Sequence, residues 1–171
     1  MTIIAFQGKP IETNGALPII GTKAPEFTLV NNKLANVTLG TYKGKRKLLN
    51  IVPSLDTPTC ATSTLKFNEK AAHVPNSVVL VISADLPFAQ CRFCSNESLH
   101  HVVPLSCFRS TFAEDYGVKL IDSVLAGLTA RAVIVIDEKD RVIYTELVNE
   151  LSNEPDYKSA LAALAGHTDH A

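Results

Sequence analysis

The sequence has no surplus of either charge. Its 16 basic and 17 acidic residues leave a formal net charge of −1. The one short basic run, Lys43 to Lys47, is too small an electrostatic footprint for nucleic acid or an acidic membrane. A small molecule or another protein is the partner this balance leaves. No apolar run approaches the ~20 residues that cross a bilayer, and the opening Met1 to Lys9 lacks the basic start, apolar core and small-residue cleavage site of a secretory leader. The expectation is a soluble, cytoplasmic protein. Cysteine is scarce as well: Cys60, Cys91, Cys94 and Cys107 would supply only two bridges to a chain large enough to fold without them. A redox or metal role therefore outranks a disulfide framework, with a small buried packing residue as the plain alternative for each thiol.

Repeats, low-complexity tracts and linkers are missing too, so a single domain is the simplest organisation of 171 residues, 46% of them hydrophobic. We divide it into an N-terminal hairpin over residues 1–14, a core over 18–165 and a tail over 166–171. Thr2 to Phe6 and Ile11 to Thr13 flank a Gln7-Gly8-Lys9-Pro10 turn, and short strands are expected at Phe27 to Val30 and Val37 to Leu39. A stronger pattern starts at the apolar strand Lys47 to Val52. It ends at Pro53 and leads through Ser54-Leu55-Asp56 to Thr57, a suitable N-cap, and Pro58, a suitable first helical residue. The spacing predicts a helix over Pro58 to Ala72 and then a buried β-branched strand over Val78 to Ser83. Asp85 and Pro87 start a helix through Cys94, and Ser110 to Tyr116 reads as another. A hairpin of Ala132 to Asp137 with Val142 to Val148 and an amphipathic helix over Asp156 to Leu164 complete the chain. A β-α-β unit, a helix and a ββα ending are the order of a thioredoxin-like α/β fold, with a central mixed sheet covered by helices and, here, an added N-terminal β-hairpin. Fold does not fix function.

Cys60 falls in the first turn of its helix, where backbone N–H groups lack intrahelical partners and the helix dipole is positive. Such a place favours thiolate over thiol: a cysteine that ionises near ~8.5 when free can ionise at about 3.5 to 7.5 there. A structural cysteine fits the position equally well. Arg131 is the candidate cation, since it opens the most apolar strand and shares a face with Val133 and Val135. Its plain alternative is a strand-end arginine whose head reaches water.

Several separate stretches break this tie by resemblance. Pro53-Ser-Leu-Asp-Thr57-Pro-Thr-Cys60 matches the Pro-x3-Thr-x2-Cys pattern of the peroxiredoxins. The segments from Leu49 to Thr57, from Ile82 to Gln90 with Arg92-Phe-Cys94, and from Ala130 to Glu138 look like the bacterial thiol peroxidase subfamily, an atypical two-cysteine branch. The resemblance runs from Phe6 to Ala165. It implies that Cys60 is the peroxidatic thiolate, that Pro53 and Thr57 shield and orient it, that Arg131 completes the site, and that Cys94 resolves the product. It also implies hydrogen peroxide or small alkyl hydroperoxides as substrate, thioredoxin as reductant, a homodimer, and no metal or organic cofactor. In that scheme the sulfenic acid at Cys60 condenses with Cys94 to an intrachain disulfide that an external dithiol reduces. Thr57 hydroxyl, Cys60 N–H and Arg131 guanidinium are the donors expected to align the peroxide and stabilise the leaving oxygen. Two positions depart from the pattern: Thr59 stands where an apolar residue is expected, and Ser95-Asn96-Glu97-Ser98 replaces a glycine after Cys94.

Two rival readings stay open. Cys91-Arg-Phe-Cys94 is formally a Cys-x-x-Cys, the mark of a disulfide oxidoreductase, although it follows the start of its helix by a turn. Cys91, Cys94, His100, His101 and Cys107 could supply a zinc site, although adjacent histidines suit a tetrahedron poorly. Otherwise Cys91 is a packing residue, and His73, His167 and His170 are solvated.

Overall fold

A computed structural model describes residues 1–166, so residues 167–171 of the tail, His167 and His170 among them, lie outside the described residues. Its centre is a seven-stranded sheet in the order β4-β3-β7-β6-β5-β8-β9. The strands are β3 (Thr28–Val30), β4 (Asn36–Thr38), β5 (Arg46–Ile51), β6 (Ser77–Ser83), β7 (Val102–Ser106), β8 (Ala132–Ile136) and β9 (Val142–Leu147). Neighbours β5, β6 and β7 run parallel, β3 and β8 flank them antiparallel, and the edge strands β4 and β9 are antiparallel to β3 and β8 in turn. The sheet is therefore mixed. A separate hairpin joins β1 (Ile3–Phe6) to β2 (Lys9–Glu12) through the two left-handed residues Gln7 and Gly8. Pro10 lies within β2 rather than in the turn, because two residues suffice to reverse the chain.

The central strands bury both faces, and alternate residues divide between two cores. Leu49, Ile51, Leu80, Ile82, Ala132, Ile134 and Ile136 join Phe27, Phe112 and Tyr116 on one side. Leu48, Val79, Val81, Val133 and Val135 join Cys60, Phe67, Cys94 and Leu164 on the other. The second core is covered by α1 (Pro58–Ala71), α2 (Pro87–Asn96) and α4 (Tyr157–Leu164), and α3 (Phe112–Asp115) contributes Phe112 to the first. Helix α1 buries Cys60, Ser63, Thr64, Phe67 and Ala71, a stripe at helical spacing. Phe67 in that stripe meets Tyr157 of α4 edge-on, with ring centroids 5.0 Å apart.

Two features go beyond the sequence expectations. Strand β7 is absent from the expected strands and carries Pro104 in its middle. The sheet accommodates the proline because β3 meets β7 only at Val30 and Ser106, which leaves one side of the strand unpartnered at Pro104. The basic run also dissolves on folding. Lys47 is wholly buried with its Nζ 2.8 Å from Asp140 Oδ1, and Arg46 donates to Glu138 and to the Ala163 and Leu164 carbonyls that end α4. Among the described residues no helix is long and apolar enough to cross a membrane.

Candidate active site

Strand β5 delivers the chain to Pro53 at the edge of the second core, and a short loop turns it into α1. Thr57 caps that helix: its extended backbone (φ −97°, ψ 147°) lets Oγ1 accept from Cys60 N–H at 3.4 Å, while the hydroxyl donates to the Ser54 carbonyl at 3.2 Å. Pro58 occupies the first helical position, where its missing N–H costs nothing. Cys60 is completely buried, and its own carbonyl accepts from the hydroxyls of Ser63 and Thr64 at 3.0 and 2.8 Å. Asn50 of β5 donates in turn to Ser63 Oγ at 3.4 Å.

Arg131 precedes β8 and is only 2% exposed. The reading of a guanidinium that reaches water is therefore wrong. Its Nη1 lies 3.2 Å from Cys60 Sγ and its Nε donates to the Leu151 carbonyl at 2.9 Å, while Nη2 makes no hydrogen bond among the described residues. The alternation that put Arg131 on the face of Val133 and Val135 aims it at α1, because those valines and Cys60 share one core. A buried cation against sulfur stabilises negative charge there more than a solvated one would.

The structure also alters one expected detail. Cys60 N–H and Thr57 hydroxyl, both expected to face a substrate oxygen, satisfy one another and Ser54 instead. Thr59 has a partner that its departure from an apolar residue did not suggest: its hydroxyl donates to the Ser152 carbonyl at 3.0 Å, fastening α1 to the loop that also receives Arg131. These two contacts carry no sequence mark, since the loop makes both of them with main-chain oxygens.

Cys94 lies on α2, within the same core as Cys60 and 8% exposed. Burial, and secondarily the neighbouring Cys91, pushes its thiol up to about 11. All four cysteines are unbridged. Between α1 and α2 opens a cleft of about 710 Å³ lined by Leu55, Thr57, Pro58, Phe88, Arg92 and Phe93 among others. Its lining includes Ala61 and Phe93, the chain neighbours of Cys60 and Cys94, and neither cysteine itself. Cys91, in the second turn of α2, is partly exposed and lies outside the buried cores, so it contributes little packing. Cys107 belongs to the core on the far side of the sheet, where burial pushes its thiol up to about 12. The zinc set is consequently split: Cys94 and Cys107 are on opposite faces, and His100 and His101 are exposed. His73 is exposed as expected.

A buried thiol at a capped helix start with a guanidinium on its sulfur, set in this sheet, describes a redox class. The Redoxin family model matches residues 19–161. A peroxiredoxin-like protein from Aquifex aeolicus superposes with a TM-score of 0.92 at 37% identity, over 98% of each chain. A thiol peroxidase from Chromobacterium violaceum shares the fold, with a TM-score of 0.89 at 22% identity over 97% of each chain. Narrower still, the thiol peroxidase of Corynebacterium glutamicum is 55% identical over 159 residues, 93% of this chain and 96% of that protein. The Mycobacterium bovis thiol peroxidase is 50% identical over 164 residues, 96% and 99% of the two chains. The chain belongs to the bacterial thiol peroxidases of the Redoxin family.

Proposed function

We propose that the chain is a thiol-dependent peroxidase that reduces hydrogen peroxide and organic hydroperoxides through Cys60 and Cys94. The observation that carries this reading is the 3.2 Å contact from Arg131 Nη1 to a fully buried Cys60 Sγ at the start of α1. The Cys60 thiolate attacks the nearer peroxide oxygen, the O–O bond breaks, and the departing alkoxide or hydroxide takes a proton to leave as alcohol or water. Arg131 supports both ends of that transfer, Nη1 on the sulfur and Nη2 as a donor to the oxygen that gains charge. Cys60 N–H turns to the same oxygen by giving up its long bond to Thr57, and Pro53 walls the site without offering a competing donor.

The resulting sulfenic acid condenses with the Cys94 thiol, forming the S–S bond and releasing water. An external dithiol then reduces the disulfide, with its own two sulfurs oxidised in exchange. Thioredoxin fills that role in this reading, the assembly is a homodimer and the compartment is the cytoplasm, in line with the family resemblance and an unremarkable charge. Exposed Leu86 and Phe88 beside the cleft offer apolar surface for such contacts. The chemistry uses protein groups only.

The test is peroxide consumption by the purified chain with and without a thioredoxin system. Turnover requiring that system is expected, with Cys60→Ser inactive and with Cys91→Ser and Cys107→Ser retaining most of it. Substantial turnover by Cys60→Ser would sink the site assignment.

A further inference from the structure

Asp85 stands between the two redox segments and takes no part in the bond changes proposed for them. Sequence position suggests that it starts α2, but the N-cap is Leu86, which makes no side-chain capping bond. The Asp85 carboxylate faces the other way. Its Oδ1 accepts from Ser54 hydroxyl at 2.7 Å, and its Oδ2 accepts from Leu55 N–H at 2.8 Å and from Ser83 hydroxyl at 2.7 Å. Three donors converging on one side chain need a group that only accepts, which a carboxylate is and an amide is not.

Each end of this knot leads to a cysteine. Ser54 presents its carbonyl to the N–H and hydroxyl of Thr57, at 3.3 and 3.2 Å, and Thr57 Oγ1 accepts from Cys60 N–H. In the other direction Ser83 Oγ accepts from Gln90 Nε2 at 2.9 Å, and the same amide donates to the Leu105 carbonyl at 2.9 Å. Gln90 lies in α2 one position before Cys91 and is 1% exposed, and Ser106 hydroxyl donates to the Asp85 main-chain carbonyl. Ser83, Gln90 and Ser106 are buried, while Asp85 and Ser54 are half-buried and Asp85 also lines the cleft between α1 and α2.

We propose that Asp85 is a positioning residue for the peroxide step. It holds the Ser54–Leu55 loop, and through Ser54 and Thr57 the first turn of α1, in register with Arg131. The inference rests on the peroxidase reading and deepens it. A thiolate needs only to be exposed and charged to be alkylated, whereas the peroxide must also meet Arg131 and the Cys60 N–H in line, so misplacement of the turn harms the second reaction selectively. The Ser54 bond is one of those Asp85 makes, so losing both should cost no more than the worse single loss.

The experiment measures, on the reduced full-length chain, the rate constants of Cys60 with hydrogen peroxide and with iodoacetamide, and takes their ratio. Both constants scale with the thiolate fraction, which cancels. In Asp85→Asn and in Ser54→Ala the ratio should fall about 10-fold or more, and in the double variant it should fall no further than in the worse single one. A purely structural role would lower the melting temperature and leave the ratio alone. Folded variants with the wild-type ratio, or single losses that multiply in the double variant, overturn the proposal. Ser54→Ala decides the matter by itself should Asp85→Asn not fold, with an unchanged ratio counting against it. A wild-type chain inert to peroxide would overturn the peroxidase reading and this proposal together, whereas an active wild type with unchanged ratios overturns this proposal alone.

Discussion

The first turn of α1 and the last turns of α2 each bury a cysteine in the same core, and they treat it oppositely. Around Cys60 the chain gathers polar support: a Thr57 cap, a guanidinium on the sulfur, and two hydroxyls on the residue's own carbonyl. Cys94 sits in an apolar core, and α2 runs exposed through Ser95 and Asn96 before it ends at Glu97, with Ser98 at a left-handed φ of 54°. The lesson is that burial alone does not define a reactive thiol. Cys60 is buried against a cation that can meet charge on its sulfur, whereas Cys94 is buried without one and is held neutral until the segment opens. One end is built to react and the other to let go.

Removing the releasable thiol should have the largest effect. Cys94→Ser is expected to reduce one equivalent of peroxide per chain and then stall, with Cys60 as sulfenic acid or further oxidised to sulfinic acid. Rapid-quench peroxide assays with intact-mass spectrometry check this, and sustained thioredoxin-dependent turnover would erase the contrast between the two cysteines. Removing the cation should come next. Arg131→Met fits the apolar face but is expected to slow the peroxide step on the order of 10²-fold, read by stopped-flow on the reduced protein. The Leu151 carbonyl also loses its donor in that variant, so a thermal melt accompanies the kinetics.

A smaller effect follows from the neutral state of Cys94. The packed thiol is pushed up to about 11 by burial and then by Cys91, whereas an opened one titrates near ~8.5. Below the lower value both forms keep the proton and pH has no leverage. Between the two, the opened form loses its proton first, so the stability of the packed end falls as pH rises. Labelling of Cys94 in a Cys60→Ser, Cys91→Ser background, corrected for the thiolate fraction of an unstructured peptide, should therefore accelerate through that window. A flat corrected rate would mean that Cys94 is already open.

The sequence displays one side of the contrast far better than the other. Thr57-Pro58-Thr-Cys60 announces a helix start within four residues, and the alternation Arg131, Val133, Val135 places the guanidinium on the right face, because both signals are local. What surrounds them is not local. The carbonyls of Leu151 and Ser152, which hold Arg131 and Thr59, are main-chain atoms that no residue type marks. Asp85 resembles a helix starter beside Pro87, and only the fold brings Ser54 and Leu55 to it. Strand β7 is poorly marked in the sequence, since a proline counts against a central strand, while the sheet leaves that strand short of a partner at Pro104. The closeness of α2 to α1 depends on that strand order.

Amide hydrogen exchange of the reduced and oxidised protein tests the contrast most directly. A disulfide tolerates a Cα separation of up to ~7 Å, and the two cysteines begin on separate helices with the Cys60 sulfur held against Arg131. The account predicts faster exchange on oxidation at residues 88–97 and 57–62, where the Thr57 cap contributes only about 1 kcal/mol. Strand β6, from Ser77 to Ser83, should stay unchanged. Equal protection of both segments in the two redox states, in protein shown by peptide mapping to carry the Cys60 to Cys94 bond, would contradict it.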